Sequence, residues 1–334
     1  MRATATKSRN SAPVVVGAAE LRLQCPQCSA ALGSLREDDF PAEFLLSCTT
    51  CRFQMLNEDG IWRALPPLRA DHFKRFIREY QVVREAEGRG CANPDYYFAL
   101  PYEDLSGHNQ AQWAIRARTY RFLEHKILPR LEASRPSGMG ILDLGAGNGW
   151  MSYRMALRGH RPAAVDLATS DSDGLAAANH YRQKLPRLFP RFQAELDRLP
   201  FADHQFDLAI FNASFHYSEN YAETLGEAIR CVRPGGSVII ADTAWYSCEE
   251  SGQEMLAERQ KAFVARYGFP SDGITSLEYL TDQRLAELER EFRIRWLTYV
   301  PFYGLDWAMR PLVAKLKGKR EPSRFRIYVA EVAK

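Results

Sequence analysis

Four of the seven cysteines fall into two tight pairs, Cys25-Pro-Gln-Cys28 and Cys48-Thr-Thr-Cys51, with nineteen residues between them. A Cys-x-x-Cys turn aims two thiolates at one point. Two such turns facing each other supply the four sulfurs of a tetrahedral Zn²⁺ site. With every position filled by protein, a structural rather than a catalytic metal is expected. The rivals are a redox pair and an iron–sulfur site, but neither pair sits at a strand-to-helix junction of a βαβ unit. The odd cysteine count, with no stretch resembling an export signal, speaks against a disulfide scaffold.

A second constellation lies in Gly140-Ile-Leu-Asp143-Leu-Gly145-Ala-Gly147-Asn-Gly149-Trp150. A short apolar run enters three glycines at alternate positions, and a helical pattern follows. Glycines permit the tight turn and let a ligand approach the backbone closely. Pro162-Ala-Ala-Val165-Asp166 then reads as a second strand ending in an acid, placed to bind the two hydroxyls of a ribose. A nicotinamide dinucleotide is the first comparison. Its fingerprint is Gly-x-Gly-x-x-Gly, however, and the carboxylate of Asp143 would oppose a pyrophosphate. S-adenosylmethionine (SAM) carries a sulfonium cation, an α-amino group and no phosphate, so the electrostatics favour SAM.

The elements that position these residues follow from periodicity. Residues 20–66 form the cysteine module, too short to bury much core, so metal binding would supply its folding energy. Leu45-Leu46 leads into the second turn as a short strand and Phe53-Gln-Met55 leads out. Residues 67–138 form a helical linker or lid. Within it Phe73, Phe76, Ile77, Tyr80 and Val83 predict an amphipathic helix over 71–90. A second helix is expected over about 110–131, with Pro129 kinking its last turn. The aromatic stretch from Tyr96 to Tyr102 is read either as a lid or as ordinary packing, and Arg116 and Arg118 as groups that reach an anionic part of cofactor or substrate. Residues 139–334 form an α/β domain. Its third strand is at Phe192 and its fourth runs from Phe206 to Asn212. The fifth ends at Asp242, and closing antiparallel strands lie near Arg293–Thr298 and Phe325–Glu331. An insertion over about 245–290 is expected to cap the substrate.

Together these segments resemble the class I SAM-dependent methyltransferase family, in its small-molecule-like, type 11-like branch, over roughly residues 110–245. The resemblance implies a Rossmann-like seven-stranded sheet. It implies that Asp143, Gly145, Gly147 and Gly149 hold the amino acid part of SAM and that Asp166 takes the ribose. It further implies that Glu195, with Asp197 as competitor, meets the adenine amine, and that Leu196 packs on the ring. Asn212 faces the methyl group, and His216, just beyond, is the candidate base. The Asn-Pro-Pro-Tyr signature of amino-methylating DNA enzymes is replaced by Asn212-Ala-Ser-Phe215. Separately, the second cysteine pair, its strand, the Asp59-Gly60 turn and the run to Leu65-Pro66 look like the small zinc-binding activator subunit of tRNA and translation-factor methyltransferases. They are also similar to the zinc module of some rRNA guanine methyltransferases.

Composition limits the partners. There are 44 Lys and Arg against 41 Asp and Glu, a net +3, too balanced to make nucleic acid a first inference. Residues 306–334 nevertheless hold eight basic residues against three acids. The basic run Lys315–Arg320 is read as a solvated hairpin loop between the closing strands, with contact to RNA or an acidic substrate as the alternative. No apolar run is long enough to span a bilayer, and a cytoplasmic location is expected. Residues 1–19 read as a disordered polar tail. Methyl transfer to a small molecule is the leading expectation. The alternative is an RNA or translation-protein substrate docked through the ribbon and the basic segment. A non-enzymatic SAM-fold protein comes third.

Overall fold

In the computed structural model, which describes residues 20–36 and 43–333, the cysteine module is five short strands. β1 (Glu20–Gln24) and β2 (Ala31–Arg36) pair antiparallel around the first cysteine turn, and β3 (Glu43–Ser47) and β4 (Gln54–Glu58) around the second. Asp59 and Gly60, both at positive φ (52° and 78°), then reverse the chain into β5 (Ile61–Arg63). Left-handed backbone at both central residues is what a two-residue hairpin turn with the right twist demands. The tail expected over 1–19 lies outside the described residues.

Pro67 opens α1 (Pro67–Ala86), a position where its missing N–H costs nothing. α2 (Pro94–Ala99) is capped by Asn93, whose side-chain oxygen accepts from the Asp95 amide. The helix expected over 110–131 is three pieces. These are α3 (Gln110–Phe122), a five-residue π-helical turn at Leu123–Ile127, and α4 (Leu128–Glu132). Pro129 cannot donate to an i−4 carbonyl and its ring crowds that turn, so the helix widens just ahead of it.

The remaining elements are β6 (Gly140–Leu144), α5 (Trp150–Leu157), β7 (Arg161–Asp166), β8 (Arg191–Gln193), β9 (Phe206–Asn212), α6 (Tyr221–Cys231) and β10 (Val232–Ala241). They continue with β11 (Ala244–Trp245), α7 (Glu249–Tyr267), α8 (Asp282–Phe292), β12 (Leu297–Tyr299), α9 (Leu305–Leu316), β13 (Arg324–Phe325) and β14 (Ile327–Glu331). Seven strands run in the order β12-β14-β10-β9-β6-β7-β8. The five from β10 to β8 are parallel, β14 runs antiparallel to them, and β12, antiparallel to β14, runs with the five. β9 is buried along its whole length, as a parallel strand covered on both faces must be. Alternate residues of β6 feed two apolar cores: Leu142 and Leu144 one, Ile141 the other.

The cysteine module is not a separate appendage. β5 pairs parallel with β8, and β4 and β3 follow antiparallel, so the sheet has ten strands. Trp62 stacks on Phe192 across that seam, with ring centroids 6.5 Å apart. The basic run also differs from expectation. The chain between β12 and β14 contains α9, and Lys315, Lys317 and Lys319 sit exposed around its C-terminal end, where cations suit the helix dipole. No helix among the described residues is long and apolar enough to cross a membrane.

Candidate active site

The parallel strands end together at one edge of the sheet, and the loops there build a cavity. β6 runs into Gly145, at φ 74°. A Cβ on Gly145 would lie 2.2 Å from the Ser214 side chain, so only glycine lets the β6 and β9 loops close on each other. β7 ends at Asp166. One of its carboxylate oxygens accepts from the Gly147 amide at 2.8 Å and the other from the Ala168 amide at 2.7 Å. Burial, aided by nearby Asp173, raises the Asp166 pKa although the two amides oppose the shift. Leu196, Ala194 and Ala168 add an apolar wall, and Phe76, Ile77 and Tyr80 of α1 close the cavity from above.

The other residues singled out in the sequence spread around this cavity. Asp143 does not border it. Its carboxylate accepts from the Ser152 amide at 3.0 Å and hydroxyl at 2.7 Å, joining β6 to α5, and burial pushes its pKa up to about 7. Gly147 and Gly149 both have positive φ, and Gly149 precedes the first turn of α5. Glu195 is buried beneath α1. Arg69 donates to its Oε2 at 2.7 Å, while its Oε1 has no hydrogen-bond partner. Burial pushes Glu195 up to about 7, against the pull of Arg69, and neighbouring Asp197 adds to the rise. Glu195 and Asp197 share a small hollow beside Leu196. Asn212 ends β9 with its side-chain oxygen buried and unpartnered, and Ala213 beside it is held at φ 56°. Strain of this kind concentrates at functional sites.

His216 lines a wider, more open cleft that Tyr217 also borders. Its Nδ1 is buried without a partner. Burial pushes its pKa down to about 4, with Arg259, Arg116 and Arg84 adding to the shift and Glu278 opposing it. Met255 and Arg259 of α7 supply one wall of this cleft, in the segment expected to cap a substrate. Ala213 and Tyr217 border both spaces, so the two adjoin at the tip of β9.

Several site residues had no counterpart in the sequence reading. The periodicity of α1 announced a helix, but not that its Phe76, Ile77 and Tyr80 would roof the cavity. Of the two readings of the aromatic segment, lid or packing, its first residues follow packing: Tyr96 and Tyr97 are fully buried, and the Tyr97 hydroxyl donates to the Ser172 carbonyl at 2.7 Å. Arg69 meets a carboxylate 126 residues away, a pairing with no local signature. Asp242, at φ 52° just after β10, gave no signal beyond its place at a strand end.

The four paired cysteines converge. Cys25 and Cys51 have sulfurs 3.5 Å apart, Cys28 and Cys48 3.6 Å, and all four lie within 4.8 Å of one another. A disulfide needs sulfurs at about 2 Å. Four thiolates about 2.3 Å from one Zn²⁺ would stand about 3.8 Å apart, so the donor set fits that metal. Both turns share one backbone form. The Ser29 amide bonds to the Cys25 carbonyl and the Arg52 amide to the Cys48 carbonyl, and Ser29 and Arg52 both take positive φ.

Residues 142–240 match a family described as a methyltransferase domain. Among curated proteins, malonyl-[acyl-carrier protein] O-methyltransferase from Enterobacter lignolyticus is 30% identical over 56% of this chain and 67% of its own length. The enzyme of that name from Halorhodospira halophila is 27% identical over 57% of this chain and 81% of its own. Another, from Pseudescherichia vulneris, is matched over only 59% of its length. The solved structure of magnesium protoporphyrin IX methyltransferase from Synechocystis PCC 6803 is similar at 14% identity, with a TM-score of 0.48. The similarity covers 76% of this chain and 99% of that one.

Proposed function

We propose, for a chain that belongs to the class I SAM-dependent methyltransferases, that SAM lies in the cavity above β6 and β7 and that the adjoining cleft holds a small-molecule acceptor. The observation that carries this reading is the junction of the two spaces at Ala213 and Tyr217. A donor in one and an acceptor in the other meet at the tip of β9. SAM supplies an activated methyl on a sulfonium, so the protein's task is binding, orientation and exclusion of water.

The cavity suits that ligand. Both Asp166 oxygens keep lone pairs for ribose hydroxyls beyond the amides they already accept from. Leu196, Ala168 and Phe76 offer an apolar slot for an adenine ring, and Tyr80 and Tyr217 add aromatic faces to its wall. Glu195, fixed by Arg69, has a second oxygen that makes no hydrogen bond and lies 3.6 Å from the Arg198 guanidinium, and this oxygen can receive an amine from the neighbouring hollow.

His216 changes role relative to a strong general base. An imidazole with a pKa near 4 is neutral at pH 7 and takes a proton poorly. In this reading it orients the acceptor by hydrogen bonding. The acceptor is then one that needs little help in losing a proton, and an oxygen acceptor agrees with the relatives' name as O-methyltransferases. The cysteine cluster holds structural Zn²⁺, with Cys25, Cys28, Cys48 and Cys51 as ligands.

Calorimetric titration with SAM tests the donor site. The wild type is expected to bind, and Asp166→Ala to bind about ten- to hundredfold more weakly, the usual effect of losing charge-assisted hydrogen bonds. Equal affinity in the two proteins would remove Asp166 from the site. Labelled SAM offered with separate metabolite, RNA and protein fractions tests the acceptor class. Label confined to RNA or protein would overturn the small-molecule reading.

A further inference from the structure

Five arginines and four acids border the acceptor cleft, and four of the arginines are already committed. Arg84 lies 3.5 Å from both Glu87 and Asp173, and Arg89 lies 2.6 Å from Glu87. Arg259 makes a two-pronged pair with Glu278, and Arg320 lies 2.6 Å from Glu258. Arg116 is the exception. It makes no ion pair or hydrogen bond among the described residues, and its guanidinium lies over the face of Trp113 at 4.8 Å. The remaining acid, Asp242, has one oxygen bonded by Thr119 at 2.5 Å, and its other is buried without a partner. Burial raises the Asp242 pKa, which weakens it as a counter-charge.

A guanidinium cannot shed its proton, so an unpaired, half-buried one carries a standing electrostatic cost that an anion would relieve. Burial, together with the positive charge of Arg89 and Arg84, disfavours the Arg116 cation even though Asp242 and Asp173 oppose the shift. The cleft also has apolar surface, from Ile115, Met255, Trp307 and Phe325. We propose that Arg116 receives the anionic group of the acceptor, and that the acceptor is an organic acid with an apolar body, its carboxylate or phosphate paired with this guanidinium. The inference rests on the reading of this cleft as the acceptor site. Arg118, its neighbour on the same helix, is exposed and is not expected to share the task.

The test uses isosteric probes on the full-length protein with and without saturating S-adenosylhomocysteine. Titrations compare benzoate, phenyl phosphate and uncharged benzamide. The wild type is expected to bind one or both anions about ten- to hundredfold more tightly than benzamide, and the tighter anion identifies the acid class. Arg116→Gln should lose that preference and Arg116→Lys should keep part of it. SAM affinity should stay within about twofold of wild type in both variants, which also reports that they fold. Equal binding of benzoate, phenyl phosphate and benzamide by a wild type that binds SAM would overturn this inference alone. Anion preference surviving in Arg116→Gln would do the same. A wild type that prefers the anions but does not bind SAM would instead overturn the methyltransferase reading of the site while leaving an anion site in place.

Discussion

At the scale of single residues, the cleft is governed by groups held away from their ordinary ionisation. His216 is the clearest. Its folded pKa is depressed to about 4, from an ordinary value of 6.5, first by burial and then by Arg259, Arg116 and Arg84. Glu278 is the one acid that opposes this. Burial raises the Glu278 pKa, but hydrogen bonds from Arg259 and Ser276, together with the nearby positive charge, more than offset the rise and keep it below the usual range. The unfolded chain therefore takes up the His216 proton first as pH falls. Stability contributed by the neutral imidazole is complete above about pH 6.5 and is lost progressively down to about pH 4. The expected size is about 1–3 kcal/mol, allowing for water in the cleft. Urea unfolding of wild type and His216→Gln at pH 7 and pH 4 measures it. The wild type should lose more stability than the variant over that interval. Parallel losses would mean that the imidazole is not held neutral by the fold.

At the scale of elements, α1 links the metal module to the donor cavity. It begins four residues after β5 ends, its Arg69 grips Glu195, and its Phe76, Ile77 and Tyr80 form the roof. Stripping the metal should loosen β3–β5 and with them the anchor of α1. We expect the chelated protein to bind SAM about three- to tenfold more weakly, a loss on the order of 0.6–1.4 kcal/mol, and zinc to restore it. Circular dichroism must show that the ribbon has loosened, and unchanged SAM affinity under that condition would sink the coupling. What was legible in the sequence divides along the same line. The cysteine pairs, the glycine loop and Asp166 are local patterns, readable because turn geometry and metal geometry act over a few residues. The roof is not local. Nothing in Phe76 or Arg69 says which strand tip they will meet, because that is fixed by packing more than a hundred residues away. Asp143 shows the converse. Its place in the motif was legible, but its bonds to Ser152 depend on how α5 docks.

At the scale of the whole molecule, the ribbon shares an apolar core with the α/β domain, and its β3–β5 extend the domain's sheet. Leu23, Met55 and Trp62 of the ribbon belong to the same apolar cluster as Phe192 and Phe201 of the domain. Arg191, fully buried at the seam, donates to the Asp59 carbonyl at 3.2 Å and to the Leu175 carbonyl at 3.0 Å, tying the ribbon turn to β8. A sequence reading that divides the chain at residue 66 misses this, because a three-residue strand such as β5 has no periodicity to announce its partner. The consequence is a single cooperative unit. Shortening the chain to 67–334 would bare the β8 edge and the face of Phe192, and an unpaired strand edge beside exposed apolar surface favours association. Calorimetry of the full chain should therefore show one transition, and 67–334 should aggregate or melt well below it. The milder Trp62→Ala change should cost about 3–5 kcal/mol, as removal of a buried indole usually does. A monomeric 67–334 melting at the full-length midpoint would mean that the seam between β5 and β8 contributes little, and that the ribbon is an accessory to the fold and not part of it.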